Sequence, residues 1–297
     1  MTNTRSLQFK KLSISDKSLV ESVTAKFEPY SDFNFISLLS WDDGTTEICT
    51  LNDNLVIKIA DYITGKPVYS ILGTNKVDES LETLLSLTKE LKLVPEVVAQ
   101  SCVDRGRFHI IEDRDNFDYI YAVDTLVSLA GKGFKDKRNR ISRFLRNTDD
   151  KVHIKEVDLS DKATKDSLET VFLKWAQEKD KEDHETQNEN DAIKKLLDNV
   201  RFFSLIGLQV NIGGQIVGFS INELTTRAFA ICHFQKSILS YTNVDIFLTN
   251  IVAKELEKKG CKYVNWEQDL GLPGLKQLKM SYKPDHFLKK YTIRRVA

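Results

Sequence analysis

No stretch of this 297-residue chain approaches the ~20 consecutive apolar residues that a membrane-spanning helix requires. Met1–Lys11 holds no apolar core of the kind a secretory signal carries. The four cysteines, Cys49, Cys102, Cys232 and Cys261, lie far apart, and no two form a CxxC pair. They read as reduced, mostly buried thiols of a cytoplasmic protein. Five prolines and 13 glycines exclude collagen-like and low-complexity classes. Metal-ligand spacing, a nucleophile elbow, a P-loop and a dinucleotide fingerprint are all missing, so neither a metal nor a resident cofactor is expected. What remains is a globular composition, 41% hydrophobic and 29% charged. Its length fits two domains at ~150 residues each.

The formal charge is zero, but it is unevenly spread. Residues 1–130 are acidic. Lys132–Arg146 carries seven basic side chains against Asp136, and Lys276–Arg295 carries seven more against Asp285. Two basic clusters in such a chain point to an anionic partner, or else form solvated faces.

Periodicity predicts a mixed α/β chain. In the first half we expect helices over Leu12–Phe27 (capped by Ser15), Phe33–Trp41 and Val77–Leu93. Strands are expected at Glu47–Leu51, Leu55–Ala60, Val68–Leu72, Phe108–Ile111 and Asp118–Val123. A helix with a basic stripe, Phe134–Arg146, bridges the halves. The second half reads as strand Lys151–Val157, a helix capped by Ser160 and running to about Lys179, a mobile loop over Asp180–Glu189, and a helix over Asp191–Asn199. A hairpin follows, Ser204–Ile212 with Gln215–Leu224 around Gly213-Gly214. Next come strand Arg227–Gln235, helix Asn243–Lys259, strand Tyr263–Glu267, helix Leu272–Tyr282 and strand Phe287–Arg294. The expected division is an N-terminal domain at 1–130, the bridging helix within 131–150, and a C-terminal domain at 151–297.

This order resembles a known family, most specifically through Asn265-Trp-Glu-Gln-Asp-Leu-Gly-Leu-Pro-Gly-Leu-Lys-Gln-Leu-Lys-Met-Ser-Tyr-Lys-Pro284. Lys132–Arg140, Gly218–Glu223 and Tyr30–Trp41 fit the same group. The chain resembles stand-alone bacterial proteins related to the C-terminal domain of phosphatidylglycerol lysyltransferase. The resemblance implies two tandem GNAT-like acyltransferase domains with mixed sheets, the C-terminal one catalytic. It also implies transfer of an aminoacyl group from a charged tRNA to an amine or hydroxyl of a lipid or peptide.

Such a transfer needs a base for the acceptor and charge contacts for a phosphate-bearing donor. Period-2 alternation through 263–269 puts Tyr263, Asn265, Glu267 and Asp269 on one face, opposite Val264, Trp266 and Gln268. Glu267 or Asp269 is then a candidate base, with Asn265 orienting substrate; Asp269 could instead cap the following helix. Glu223 ends the apolar row Val217, Phe219, Ile221 and is a second candidate base, or a salt-bridge partner of Arg227. His233 is a substrate-binding candidate, or a hydrogen-bonded core residue. Lys276, Lys279 and Lys283 form one helical stripe. Together with Lys135, Arg138, Asn139 and Arg146 they could hold phosphates. Tyr282 could donate to a leaving group or pack as core.

Acetyl-CoA-binding GNATs hold pyrophosphate on a Gly-rich loop at the corresponding helix start. Lys236–Asp245 has no glycine, so aminoacyl-tRNA is expected as donor in preference to acyl-CoA. Two alternatives stand beside it: a CoA- or carrier-thioester-dependent N-acyltransferase, and a non-catalytic module that binds an anionic ligand in a basic cleft.

Overall fold

The computed structural model describes residues 7–148, 151–225 and 227–296. The architecture is mixed α/β, and the residues gather into two compact units that interleave along the sequence. One holds residues up to Tyr119 with Gln268–Leu278 and the chain from Phe287 onward; the other holds Ile120–Glu267 and Lys279–His286. The compact units thus cut the chain differently from the contiguous 1–130 and 151–297 blocks. The physical reason is strand pairing: Lys290–Arg295 lies between Glu90–Pro95 and Phe108–Glu112, antiparallel to both.

In the first unit, Lys10–Lys11, Glu47–Leu51, Asn54–Ala60 and Pro67–Leu72 form a second, fully antiparallel sheet. Its core gathers Val56, Ile71, Leu81, Leu84, Leu91, Val94 and Ile293. The helix expected to run to Leu93 ends at Leu84, and Leu91 belongs to strand Glu90–Pro95. The same unit holds a wholly buried ionic group. Lys290 donates to Asp118 at 2.7 Å and to Gln268 at 2.7 Å, and pairs with Asp32. Ser31 also donates to Asp118, at 2.6 Å. Burial pushes the Asp32 carboxyl above its ordinary value, although Lys290 pulls the other way.

The second unit is built on a mixed sheet. Val152–Val157, Leu205–Ile212, Gln215–Leu224 and Phe229–Ser237 follow one another antiparallel; Tyr263–Asn265 then joins parallel to Phe229–Ser237, and Ile120–Ala122 pairs antiparallel with Tyr263–Asn265. Gly213 and Gly214 both have positive φ, 58° and 87°, as the hairpin turn demands. Helix Val244–Lys258 is the connection between the parallel strands and buries most of its residues, as a parallel crossover must. The order of these elements is the one expected of the C-terminal half. The segment expected to be a mobile loop is helical, since Asp183–Asp198 is one helix whose buried face includes Glu189, Asn190, Ile193 and Leu197. Asp161, not Ser160, caps the preceding helix, accepting the Thr164 N–H at 2.8 Å.

Candidate active site

Two irregularities in the second unit's sheet coincide. The pairing of Gln215–Leu224 with Phe229–Ser237 steps from Ile221↔Phe234 to Asn222↔Cys232, which leaves His233 as the extra residue of a β-bulge. Bulges re-aim a side chain out of the regular alternation. On the other side of the same strand, the parallel pairing ends at Ile231↔Asn265. Beyond it Glu267 takes a left-handed backbone conformation, φ 56°, at a cost of roughly 1–2 kcal/mol for a residue with a Cβ. Two side chains hold that turn. The Asn265 side-chain oxygen accepts the Glu267 N–H at 2.6 Å, and the buried Lys279 ammonium donates to the carbonyls of Trp266 (2.5 Å) and Glu267 (3.2 Å).

The result is a three-residue charge cluster. His233 Nε2 lies 3.2 Å from Glu223 Oε2, and its Nδ1 lies 3.5 Å from Glu267 Oε1. The imidazole side chain is 3% exposed, Glu223 14% and Glu267 24%. Burial alone would lower the imidazole pKa; the two carboxylates outweigh it and raise it to about 9. A ring that keeps its proton at neutral pH can donate to a carboxylate on either side. His233 is then already protonated and positions the carboxylates, while Glu267 presents the most accessible oxygen atoms.

Comparison with known proteins fits this geometry into a family. Residues 72–294 match the family described as "Phosphatidylglycerol lysyltransferase, C-terminal". The chain belongs to this family. No curated protein matches it. A conserved protein of unknown function from Bacteroides thetaiotaomicron VPI-5482 superposes with a TM-score of 0.83 at 25% identity, covering 98% of this chain and 100% of its own. The C-terminal domain of a protein described as a lysylphosphatidylglycerol synthetase, from Agrobacterium fabrum, superposes at 0.65 with 12% identity, covering 94% and 91%. The second likeness shows shared fold. Membership makes the chain an acyltransferase-type domain. No helix among the described residues is long and apolar enough to cross a membrane.

Within this lysyltransferase C-terminal fold the residues singled out in the sequence divide into three groups. Glu223, His233, Asn265, Glu267 and Lys279 come together as described, with Lys279 supporting the Glu267 turn instead of facing a phosphate. Glu223 pairs with His233, not with Arg227 across the turn. Asp269 does not share a face with Glu267, because the strand ends at Asn265 and Glu267 and Leu270 (φ 54°) turn left-handed. Asp269 is buried in the other unit. It accepts from Tyr119 and from the Gly271 N–H (2.8 Å), with Arg114 3.5 Å away.

Lys276 is also in that unit, 3.7 Å from Asp115. On helix Lys135–Asn147, Arg138 donates inward to the Leu129 and Gly131 carbonyls. Lys135, Asn139, Arg143 and Arg146 stay exposed. Tyr282 is core, edge-on to Trp266 and with the Lys137 ammonium 3.7 Å over its ring. Lys137 escaped notice because a lysine in a basic run carries no sign of burial; its i, i+7 relation to the buried Phe144 was the available signal.

Proposed function

We propose that the chain transfers an aminoacyl group from the ester of a charged tRNA to an amine or hydroxyl acceptor, with Glu267 as base. The observation that carries this is His233 fixed between Glu223 and Glu267 where the parallel strands part. The acceptor heteroatom attacks the ester carbonyl carbon, a new C–N or C–O bond forms, and the ester C–O bond breaks. The acceptor's proton passes to the Glu267 carboxylate and from there to the departing ribose oxygen. Two carboxylates at the cluster also suit the ammonium of an aminoacyl group or of an amine acceptor. The exposed cations Lys132, Lys135, Arg143 and Arg146 of the same unit suit a polyanionic donor. The family name makes phosphatidylglycerol an acceptor to include in the test.

The test is transfer of labelled amino acid from charged tRNA to phosphatidylglycerol vesicles and to a panel of amines. Glu267→Gln should lower the rate per folded molecule by roughly 10²–10⁴-fold, beyond any loss of stability from the weakened His233 pair. Absence of transfer by the unsubstituted protein from every charged tRNA would remove the reading. So would a Glu267→Gln variant that loses stability and keeps its rate per folded molecule.

A further inference from the structure

Glu178 is the last residue of helix Lys162–Glu178. That is the negative end of the helix dipole, where a carboxylate is disfavoured and a cation preferred. Something else must hold it there, and the structure shows what. Glu178 Oε2 accepts the N–H groups of Leu239 (2.5 Å) and Ser240 (3.1 Å), and Oε1 accepts the Ser240 hydroxyl (2.8 Å). Successive backbone N–H groups converging on one anion form a nest, a geometry that takes phosphate as readily as carboxylate. This turn leads from strand Phe229–Ser237 into helix Val244–Lys258.

The cations beside the turn are engaged in the same way. Lys236 lies 2.7 Å from Glu189 Oε1, with its ammonium 4.1 Å over the Trp175 ring, and Lys181 lies 2.8 Å from Glu189 Oε2. Glu189 is itself buried. Amides and ammonium groups that could receive an external anion are thus occupied by carboxylates of helices Lys162–Glu178 and Asp183–Asp198.

We propose that Glu178 is a specificity-determining residue: it fills the Leu239–Ser240 nest from within and keeps phosphoanhydride ligands out of this turn. Donors built on a diphosphate, such as CoA thioesters, lose a seat they would otherwise find. The inference concerns exclusion of a ligand and stands whichever donor feeds the Glu223–His233–Glu267 cluster.

The test is calorimetric titration of the full chain with inorganic pyrophosphate and, separately, with CoA. Glu178→Ala opens the nest; Glu178→Gln keeps an acceptor but removes the charge, and serves if the alanine variant does not fold. Each folded variant should bind both probes at least about tenfold more tightly than the unsubstituted chain, which is about 1.4 kcal/mol. The amide resonances of Leu239 and Ser240 should shift during the titration. A folded variant that binds no more tightly than the unsubstituted chain overturns the proposal. Shifts confined to other amides do the same.

Discussion

Nδ1 of His233 faces Oε1 of Glu267 at 3.5 Å, from one strand to a residue just past the end of its parallel neighbour. The contact exists because a bulge turns His233 out of register and a left-handed turn brings Glu267 back. Neither deviation alone would close it.

Stability should depend on pH through this contact. A histidine raised from its ordinary 6.5 to about 9 binds its proton more tightly in the folded chain. Its contribution is complete below pH 6.5 and disappears as pH rises through about 9. The loss is on the order of 3 kcal/mol for a group this buried. Chemical denaturation at pH 6 and pH 9.5 should show it in the unsubstituted chain and a much smaller change in His233→Gln. An equal fall in both would assign the pH dependence to other groups.

Lys290 faces both Asp32 and Asp118 inside the first unit, with all three side chains fully buried. Lys290→Met should cost roughly 3–5 kcal/mol at neutral pH, because two buried carboxylates lose the ammonium that faces them. Part of that cost should return at acidic pH, where protonation of Asp32 relieves it. Asp32→Asn should cost less, since one carboxylate still faces the ammonium. Urea midpoints of the two variants compare them directly.

The basic residues should separate into two classes. Charge reversal of Lys135, Arg143 and Arg146 together should leave the melting temperature nearly unchanged and flatten the salt dependence of tRNA binding. Each lost phosphate contact removes about 0.9 units of log-log slope. Lys279→Glu should do the opposite, lowering stability because it opposes the Trp266 and Glu267 carbonyls with a buried carboxylate. A flattened salt slope with full stability in Lys279→Glu would contradict the structural role.

Gly207 offers a packing test away from the site. A Cβ there would lie 2.5 Å from Leu159 Cδ2 and 2.8 Å from its Cγ. Gly207→Ala should therefore cost about 1–3 kcal/mol, and adding Leu159→Ala should recover part of the overpacking penalty. Double-mutant coupling of the two melting shifts measures it.

Strands with a regular face were readable from sequence. Asn54–Ala60 and the Gly213-Gly214 hairpin announce themselves by alternation and turn chemistry. Helix Val77–Leu84 was read too long because Leu91, in the next strand, happens to fall near the helical repeat. Asp183–Asp198 was read as a loop over its first half because that half is polar and its buried members include Glu189 and Asn190, whose partners come from elsewhere. The 263–269 row failed at one dihedral: alternation assumes extended backbone, and Glu267 is not extended. Glu223, His233 and Glu267 were each visible as candidates. Their meeting was not, since it depends on a bulge that no single residue type encodes.

The chain's closing strand has a consequence for biosynthesis. Lys290–Arg295 sits in the middle of its three-stranded sheet, between segments made far earlier. A nascent chain emerging in order exposes the facing edges of Glu90–Pro95 and Phe108–Glu112 throughout translation of the whole second unit. The hydrophobic cluster that needs Ile293 is completed only when those final residues arrive. The unit begun before the second one is thus finished after it, and during that interval the open edges are the nascent chain's point of exposure to chaperones and to mispairing.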